Sequence, residues 1–314
     1  MLTDIKQELE RHAPKKPMIL TIGVFDGVHL GHRYLLDHLV ARAREKGYLA
    51  GVLTFKTHPE KVLARRDKLP WICTLQERIR LLKAAGVDVV VPITFTRDVA
   101  GLSAREFILL VKKYLKMCDL VLGPDFALGR HRQGDAQSLS KIGDEMDFHV
   151  EVVRPARLGS EVISSSAIRQ LLANGNITRV NEMLGRYFSL EGRVVLGDQR
   201  GRTLGFPTAN IKVQPNQAMP EDGIYVTVAH REGKQLPSVT NIGVRPTFDG
   251  LKHLIETYIM DYSGDFYGKK LKIDLVDRLR DEMKFSSVDD LKAQMHRDVA
   301  KAGDVLSKIA HADY

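Results

Sequence analysis

The stretch GVFDGVHLGH, residues Gly23–His32, decides how the first half of the chain folds. The apolar run Met18–Phe25, which overlaps its start, predicts a buried β-strand. Apolar residues then recur at helical spacing from Leu30 to Val40, and Gly47 ends this pattern. The sequence therefore predicts a strand that leads through a tight turn into a helix.

Two histidines, His29 and His32, lie at the predicted start of this helix. The N–H groups of a first helical turn and the positive end of the helix dipole favour a phosphate, and Gly31 would let that phosphate approach the backbone closely. Metal binding is an alternative, but no third ligand lies nearby and helical zinc motifs place their histidines four residues apart with a glutamate. Simple capping by the histidines is another alternative. We predict a nucleotide phosphate site, although the stretch matches neither of the standard phosphate-loop motifs.

Length and composition indicate a two-domain protein of 314 residues with ordinary apolar and charged contents, 44% and 27%. The two cysteines, Cys73 and Cys118, are too few for a disulfide framework or a zinc cluster, so we expect a reducing cytoplasm. No signal-peptide core and no membrane-length apolar run are present in the sequence. The formal charge of +8 is dispersed and aromatic residues are few, which disfavours nucleic acid as a partner and suits polyphosphate ligands. The sequence does not indicate the oligomeric state.

Strand-like and helical segments alternate through the first half of the chain, which predicts a doubly wound parallel sheet of the Rossmann-like kind. His58 follows the second predicted strand, where it would either touch a phosphate or be an ordinary loop residue. The predicted strands after the first are Leu49–Phe55, Val87–Ile93, Asp119–Gly123 and Phe148–Val153.

A second helix start with hydroxyl side chains follows at Ser164–Ser166. Arg169, one turn further on, would neutralise a polyphosphate there. The alternative is a plain serine cap followed by a surface arginine. Because a first phosphate-binding helix start is already predicted, we favour phosphate binding by Ser165, Ser166 and Arg169.

The pattern changes after Leu184, where strand-like segments follow one another without helices between them. Six such segments predict an antiparallel barrel or sandwich, and a final helix begins after Ser287. We therefore predict an α/β domain over residues 1–184 and an all-β domain with a terminal helix over residues 185–314. The six segments are Ser189–Leu196, Thr208–Val213, Ile224–Ala229, Pro237–Ile242, Ile255–Met260 and Leu271–Val276.

The second domain carries its own polar constellation. Gly201 and Gly205 permit a loop whose amides face phosphate, and Thr208 and Asn210 alternate along a strand, so both oxygens point to one side. Hard oxygen ligands of this kind suit Mg²⁺, whereas the alternative is a turn followed by a polar strand end.

Glu256 lies within an apolar strand. A carboxylate in such a place is usually paired or functional, and as a general base it would take a proton from a hydroxyl. The alternative is a structural glutamate paired with an arginine such as Arg280.

These motifs together resemble those of the bacterial bifunctional riboflavin kinase/FAD synthetases over nearly the whole chain. In that family the first domain adenylylates FMN and the barrel phosphorylates riboflavin. The matching segments are GVFDGVHLGH (Gly23–His32), GPDFALG (Gly123–Gly129), ISSSAIR (Ile163–Arg169), GRTLGFPTAN (Gly201–Asn210), NIGVRPT (Asn241–Thr247) and RDEMKF (Arg280–Phe285). Two departures from the usual pattern, Thr57 and Ala127-Leu128, lie at the first domain's predicted ligand-binding edge.

The resemblance implies ATP as co-substrate, Mg²⁺ as cofactor, and FMN and FAD as products. It implies that Glu256, His29, His32 and Arg169 carry the chemistry and that Thr208 and Asn210 hold the metal. It also implies flavin contacts by Asp125 and Arg280. The residues implied to contact ATP or its phosphates are Gly23, Phe25, Asp26, Gly31, Ser165, Ser166, Gly201 and Gly205.

Two other functions compete with a bifunctional enzyme. One is an adenylyltransferase whose barrel only binds flavin or regulates, which Thr208, Asn210 and Glu256 argue against. The other is a non-catalytic flavin sensor or RNA-binding regulator, which the basic charge would permit.

Overall fold

The structure is a computed structural model that describes residues 3–63, 69–197, 200–247, 250–262 and 264–312. The chain forms two compact units, Met1–Ser165 and Ser166–Tyr314. The predicted division at residues 184 and 185 concerns functional domains and stays a prediction.

Unit 1 is built on a five-stranded sheet in the order β3-β2-β1-β4-β7, in which every pair of neighbours is parallel. Each of these five strands is joined to the next one along the chain by helical segments, as the alternating pattern predicted. The strands are β1 (Met18–Ile22), β2 (Leu49–Phe55), β3 (Val89–Ile93), β4 (Met117–Leu122), β5 (Ala127–Leu128), β6 (Gly134–Asp135), β7 (His149–Val152), β8 (Arg157–Leu158) and β9 (Glu161–Val162). The helices are α1 (Thr3–Glu10), α2 (Leu30–Lys46), α3 (Pro59–Val62), α4 (Leu75–Ala84), α5 (Arg97–Gly101), α6 (Ala104–Leu115) and α7 (Ala136–Met146), with a 3-10 turn at Arg130–Arg132.

The first strand is shorter than predicted, because it ends at Ile22 and not at Phe25. Phe25 and Val28 have φ values of 52° and 39°, and Gly27 between them has a φ of 78°. Left-handed backbone is rare for a non-glycine residue and rarer still for a β-branched one such as Val28. Backbone strain of this kind gathers at ligand-binding loops, and here it lies directly before His29.

Unit 2 is a closed six-stranded antiparallel barrel in the order β10-β11-β14-β13-β12-β15. The prediction of an antiparallel all-β fold with a terminal helix is therefore confirmed, and the fold is a barrel, not a sandwich. The strands are β10 (Phe188–Val195), β11 (Thr208–Lys212), β12 (Gly223–Arg231), β13 (Lys234–Thr247), β14 (Gly250–Ile259) and β15 (Lys270–Arg280). The helices are α8 (Ser165–Ala173, whose first residue ends unit 1), α9 (Ile177–Leu184), α10 (Arg200–Thr203) and α11 (Val288–Ala312).

The residues that precede the barrel strands are tied to the barrel. The Asn181 side chain in α9 donates from Nδ2 to the Leu275 carbonyl at 2.9 Å and accepts at Oδ1 from the Phe188 amide at 2.7 Å. These bonds explain why the compact unit begins before β10.

Polar side chains line part of the barrel interior and satisfy one another. Thr227 contacts Ser238 and Thr240 at 2.8 Å each, and Thr240 contacts Thr257 at 3.0 Å. All four are fully buried. Buried hydroxyls are tolerated when they are hydrogen-bonded in this way, and this ladder shows which face of the strands points inward.

Candidate active sites

The first candidate site lies where β1 leads into α2. His29 is the N-cap of α2, and its Nδ1 accepts a hydrogen bond from the His32 amide at 3.2 Å. The two imidazole rings are stacked, with centroids 3.7 Å apart. Because Nδ1 is an acceptor, neutral His29 carries its proton on Nε2, which is then a hydrogen-bond donor. His29 therefore caps the helix, and phosphate binding by His29 and His32 stays a prediction.

Packing requires a glycine at position 31, which the sequence did not reveal. A Cβ at this position would lie 3.0 Å from the Ile163 carbonyl oxygen and 3.1 Å from the His29 ring. Glycine therefore lets the first turn of α2 pack against these groups, and close approach of a phosphate to Gly31 stays a prediction. Gly23 is similar, since a Cβ there would lie 3.0 Å from the Phe25 ring.

Asp26 has a structural role that the sequence did not reveal. Its side chain is only 1% exposed, and its carboxylate accepts hydrogen bonds from the Ile72 amide at 3.0 Å and the Cys73 amide at 3.3 Å. The Ser165 hydroxyl donates to the Asp26 carbonyl at 2.9 Å. The carboxylate thus fixes the strained loop, and contact of Asp26 with ATP stays a prediction.

Arg78 in α4 is a buried residue that the sequence reasoning missed. Only 1% of it is exposed, and Nη1 donates to the Val24 carbonyl at 2.8 Å and the Phe55 carbonyl at 3.0 Å. The guanidinium also lies 4.1 Å from the centre of the Trp71 ring. Burial lowers the pKa of the Arg78 guanidinium, and the nearby Cys73 and Asp26 oppose that shift.

The position of Arg78 in its helix was a usable signal. Leu75, Ile79 and Leu82 define the apolar face of α4, and Arg78 falls at the i+3 position on that same face. A charged residue on a core-facing stripe is rarely buried without partners. Here its partners are the carboxyl-terminal ends of β1 and β2, the edge where open α/β sheets bind ligands.

His58 and Asp125 follow strands β2 and β4. His58 is the N-cap of α3, with Nδ1 accepting from the Glu60 amide at 3.2 Å, so its role as a capping loop residue is established and phosphate contact stays a prediction. Asp125 is exposed, and its carbonyl accepts a hydrogen bond from Arg132 at 3.1 Å. Its contact with flavin also stays a prediction.

Ser166 and Arg169 belong to unit 2 and lie in the first turns of α8. Ser165, which ends unit 1, is the serine of this motif that bonds to the Asp26 carbonyl. Triphosphate binding by Ser166 and Arg169 stays a prediction.

The second candidate site is a row of side chains across the outer face of the barrel. Asn210 on β11 pairs in register with Glu256 on β14, and Glu256 pairs with Asn241 on β13. Residues paired across antiparallel strands project from the same face. Because Thr257 points inward, Glu256 and its partners in the row point outward.

Thr208 lies on the same face of β11 as Asn210, two residues earlier in the strand. Asn210 is 7% exposed, and the backbone of Gly197 lies so close to its amide that a Cβ there would be 2.2 Å from Nδ2. A Cβ on Gly201 would lie 3.3 Å from the Thr208 hydroxyl. The glycines of this loop thus let its backbone cover the two predicted metal ligands.

Phe206 fastens the loop to the rest of unit 2. Its ring lies 5.1 Å from that of Tyr258 on β14 and 4.9 Å from that of His296 on α11. Gly201 accepts a hydrogen bond from the Phe206 amide at 2.8 Å, which closes the turn of α10. The direct role predicted for Gly201 and Gly205 in phosphate binding stays a prediction.

Arg280 has a partner other than the one considered from the sequence. Its Nε donates to Asp298 Oδ1 at 3.0 Å and its Nη2 donates to Oδ2 at 2.7 Å. This two-pronged contact ties β15 to α11 and gives Arg280 a structural role, whereas the choice between a paired Glu256 and a basic one stays a prediction. Glu256 itself is partly buried. Flavin contact by Arg280 stays a prediction.

Family models match both halves of the chain. A model described as FAD synthetase matches residues 11–167, and one described as riboflavin kinase matches residues 184–306. A bifunctional riboflavin kinase/FMN adenylyltransferase of Escherichia coli (strain K12) is 41% identical over 91% of this chain and 92% of its own length. The chain belongs to the bifunctional riboflavin kinase/FMN adenylyltransferase family.

Further relatives support the same family. Proteins of that name from Haemophilus influenzae and Bacillus subtilis are 38% and 34% identical over 90% of this chain, and cover 92% and 91% of their own lengths. The family, the fold and the two enzymatic activities predicted from the motifs are thus confirmed.

A solved structure also matches the whole fold of this riboflavin kinase/FMN adenylyltransferase family member. The crystal structure of a protein described as a macrolide-efflux protein from Streptococcus pneumoniae has a TM-score of 0.85 and 32% identity, covering 92% of this chain and 95% of the other. The word efflux in that description refers to the Streptococcus pneumoniae protein. Across the described residues of this chain, every helix is too short or too polar to cross a membrane.

The described residues of this family member lack one common type of metal site. They contain no group of three or more histidine, cysteine, aspartate or glutamate side chains that would hold an ion. A transition-metal site of that type is therefore not seen in the described part of the chain. A site made by neutral oxygens and substrate phosphates, as on β11, is of a different kind.

Proposed function

We propose that the barrel phosphorylates riboflavin with Glu256 as the base, and that the loop and helix start at His29 hold the phosphates during FAD formation. The observation that carries this division of labour is that Asn210 on β11 and Glu256 on β14 pair in register. It sets a carboxylate about 5 Å across the sheet from a predicted metal ligand. The proposal rests equally on the family's two activities.

In the kinase step the attacking group is a neutral hydroxyl. Glu256 takes the proton from this ribityl hydroxyl while the oxygen attacks the γ-phosphorus of ATP and ADP leaves. The Arg280 guanidinium is held by Asp298, so we propose a structural role for Arg280 and the role of base for Glu256.

The residues on β11 fit Mg²⁺. Thr208 and Asn210 offer two hard oxygens on one face beneath a glycine-containing loop, and Mg²⁺ sites of this kind are completed by substrate phosphates and water. When bound, the ion would neutralise charge on the transferred phosphoryl group. We therefore propose that these two residues hold it.

The adenylylation step needs no base. FMN carries a phosphate whose second pKa is about 6, so it is largely dianionic at neutral pH and attacks the α-phosphorus of ATP directly as pyrophosphate leaves. What this step requires is stabilisation of negative charge. The His29 Nε2–H donor and the start of α2 supply it in unit 1.

Some expectations stay predictions: the cytoplasmic location, the lack of nucleic-acid or membrane partners, and ATP and Mg²⁺ use at the residues named. The alternative of a barrel without kinase activity is disfavoured by the family match to residues 184–306.

Chromatographic analysis of products tests the proposal directly. The full chain is mixed with riboflavin, ATP and MgCl₂, and FMN, FAD, ADP and pyrophosphate are quantified over time. We expect FMN and ADP to appear first, followed by FAD and pyrophosphate. Failure to form FMN from riboflavin while FMN is still converted to FAD would support the alternative in which the barrel only binds flavin.

A further inference from the structure

A third member of the barrel row, Asn241 on β13, has no role in the function described so far. It pairs in register with Glu256, as Asn210 does from the other side. Its side chain therefore projects from the same outer face as the proposed base, about 5 Å away across the sheet.

The side-chain oxygen of Asn241 is inaccessible to solvent and has no hydrogen-bond partner among the described residues. A buried acceptor left unsatisfied costs about 1–3 kcal/mol, so its presence in a native structure calls for an explanation. The inner face of the same strands offers a contrast, since Ser238 and Thr240 on β13 are both bonded to neighbouring hydroxyls.

The chemistry of this oxygen restricts what it can bind. An amide oxygen is an acceptor, and phosphate oxygens of ATP at neutral pH are acceptors too, so they do not pair. Sharing an ion with Asn210 is also disfavoured, because the two residues lie on strands about 10 Å apart, whereas Mg²⁺ ligands each lie about 2.1 Å from the ion. A hydroxyl donor remains, and riboflavin carries several on its ribityl chain.

Resting on the proposed kinase function, we propose that Asn241 positions riboflavin by accepting a hydrogen bond from the ribityl hydroxyl next to the one that is phosphorylated. Glu256 and Asn241 then contact neighbouring hydroxyls of one polyol chain. This contact directs the terminal hydroxyl toward Glu256 and discriminates against flavins that lack the adjacent hydroxyl.

The test compares Asn241→Ala with wild type, using riboflavin and an analogue without the ribityl hydroxyl adjacent to the terminal one. Flavin fluorescence quenching gives the Kd for each, and FMN formation gives KM for riboflavin and for ATP. We expect Asn241→Ala to weaken riboflavin binding about 10-fold, as for one lost hydrogen bond, with the KM for ATP unchanged. The analogue should bind wild type and Asn241→Ala equally.

Two controls keep the outcome interpretable. Gln235→Ala removes an exposed amide from the same strand and should leave both flavin affinities unchanged. Asn241→Ser keeps an oxygen acceptor at this position, so it should retain part of the riboflavin affinity that Asn241→Ala loses. It serves as the test variant if Asn241→Ala perturbs the fold.

The proposal is overturned if Asn241→Ala weakens riboflavin and the analogue equally, if it leaves riboflavin affinity unchanged, or if it alters only the Mg²⁺ requirement. Failure of the wild-type chain to form FMN would instead refute the proposed kinase function.

Discussion

The buried guanidinium of Arg78 offers the sharpest test of how unit 1 is held together. Replacing it by methionine keeps an unbranched apolar stem but removes the donors to the Val24 and Phe55 carbonyls, at 2.8 and 3.0 Å. Hydrogen bonds from a charged donor are worth about 1.5–3 kcal/mol each, and a desolvated cation over Trp71 about 2 kcal/mol.

These losses are partly offset, because the mutant no longer keeps a charge away from water, a penalty of several kcal/mol. We expect a net loss of about 3 kcal/mol in the free energy of unfolding of unit 1, in the range for removing one partner of a buried charged network. With a urea slope of about 2 kcal/mol/M, the midpoint should fall by roughly 1.5 M.

The chain supplies its own probe for this measurement. Trp71 is the single tryptophan among 314 residues, so tryptophan fluorescence in a urea titration of the full chain reports on unit 1. The matched control is Arg80→Met in the same helix, where the side chain is 61% exposed and pairs with Glu77. Such a surface pair is worth about 0–1 kcal/mol, so the midpoint should barely change.

Equal midpoints for the Arg78→Met and Arg80→Met variants would refute the reasoning. So would a large shift in both, since that would reflect the helix in general and not the buried contacts. If Arg78→Met changes the Trp71 emission of the folded protein but not the urea midpoint, Arg78 contacts the ring without contributing to the stability of unit 1.

Three further predictions concern the two sites and one buried carboxylate. Glu256→Gln should lower FMN formation by roughly 10²–10⁴-fold and leave FMN-to-FAD conversion intact, whereas His29→Ala with His32→Ala should make FMN accumulate; loss of both reactions in a folded variant would contradict the division of labour. Asn210→Ala should raise the Mg²⁺ concentration needed for half-maximal FMN formation, and an unchanged titration would count against its role as a ligand. Burial by itself would raise the pKa of the Asp119 carboxyl, but the hydrogen bonds from Lys46 and from the His149 amide hold that pKa below its ordinary 3.8. The ionised Asp119 carboxylate therefore stabilises the fold above pH 3.8, and this stabilisation is lost as the pH falls through the lowered pKa of the folded protein. Asp119→Asn should therefore show a shallower fall of urea midpoint on acidification than wild type.

Much of the fold could be predicted because its elements are strongly periodic. The predicted strand Leu49–Phe55 is β2, and Thr208–Val213 is one residue longer than β11. The Ser103-x-x-Glu106 spacing is typical of a capping box, and one is present, with Glu106 bonded back to the Ser103 amide. Local patterns carry this information because buried faces repeat with the period of the element.

The end of β1 could not be predicted in the same way. Val24 and Phe25 continue the apolar run, so hydrophobicity extends the strand beyond Ile22. The left-handed backbone at Phe25 is held by long-range contacts, among them the bonds that Asp26 accepts from residues 72 and 73. A periodicity argument has no access to contacts across 46 residues of chain.

The candidate residues were found by type and motif, but their partners were not. Arg280 was recognisable as a charge near the barrel, and its carboxylate partner could have been any of several. Asp298 takes that place because α11 returns along the barrel, 18 residues after Arg280. The sequence alone could not decide which carboxylate Arg280 binds.

Strand register is the feature on which the kinase site finally depends. Asn210, Glu256 and Asn241 share a face only because β11, β14 and β13 pair as they do. A slip of one residue in β14 would reverse its faces, turning Glu256 into the barrel interior and exposing Thr257, which now bonds to Thr240 at 3.0 Å. An unpaired carboxylate buried there would be strongly unfavourable. The hydroxyl ladder inside the barrel therefore helps to fix the register that sets the base beside its neighbours outside.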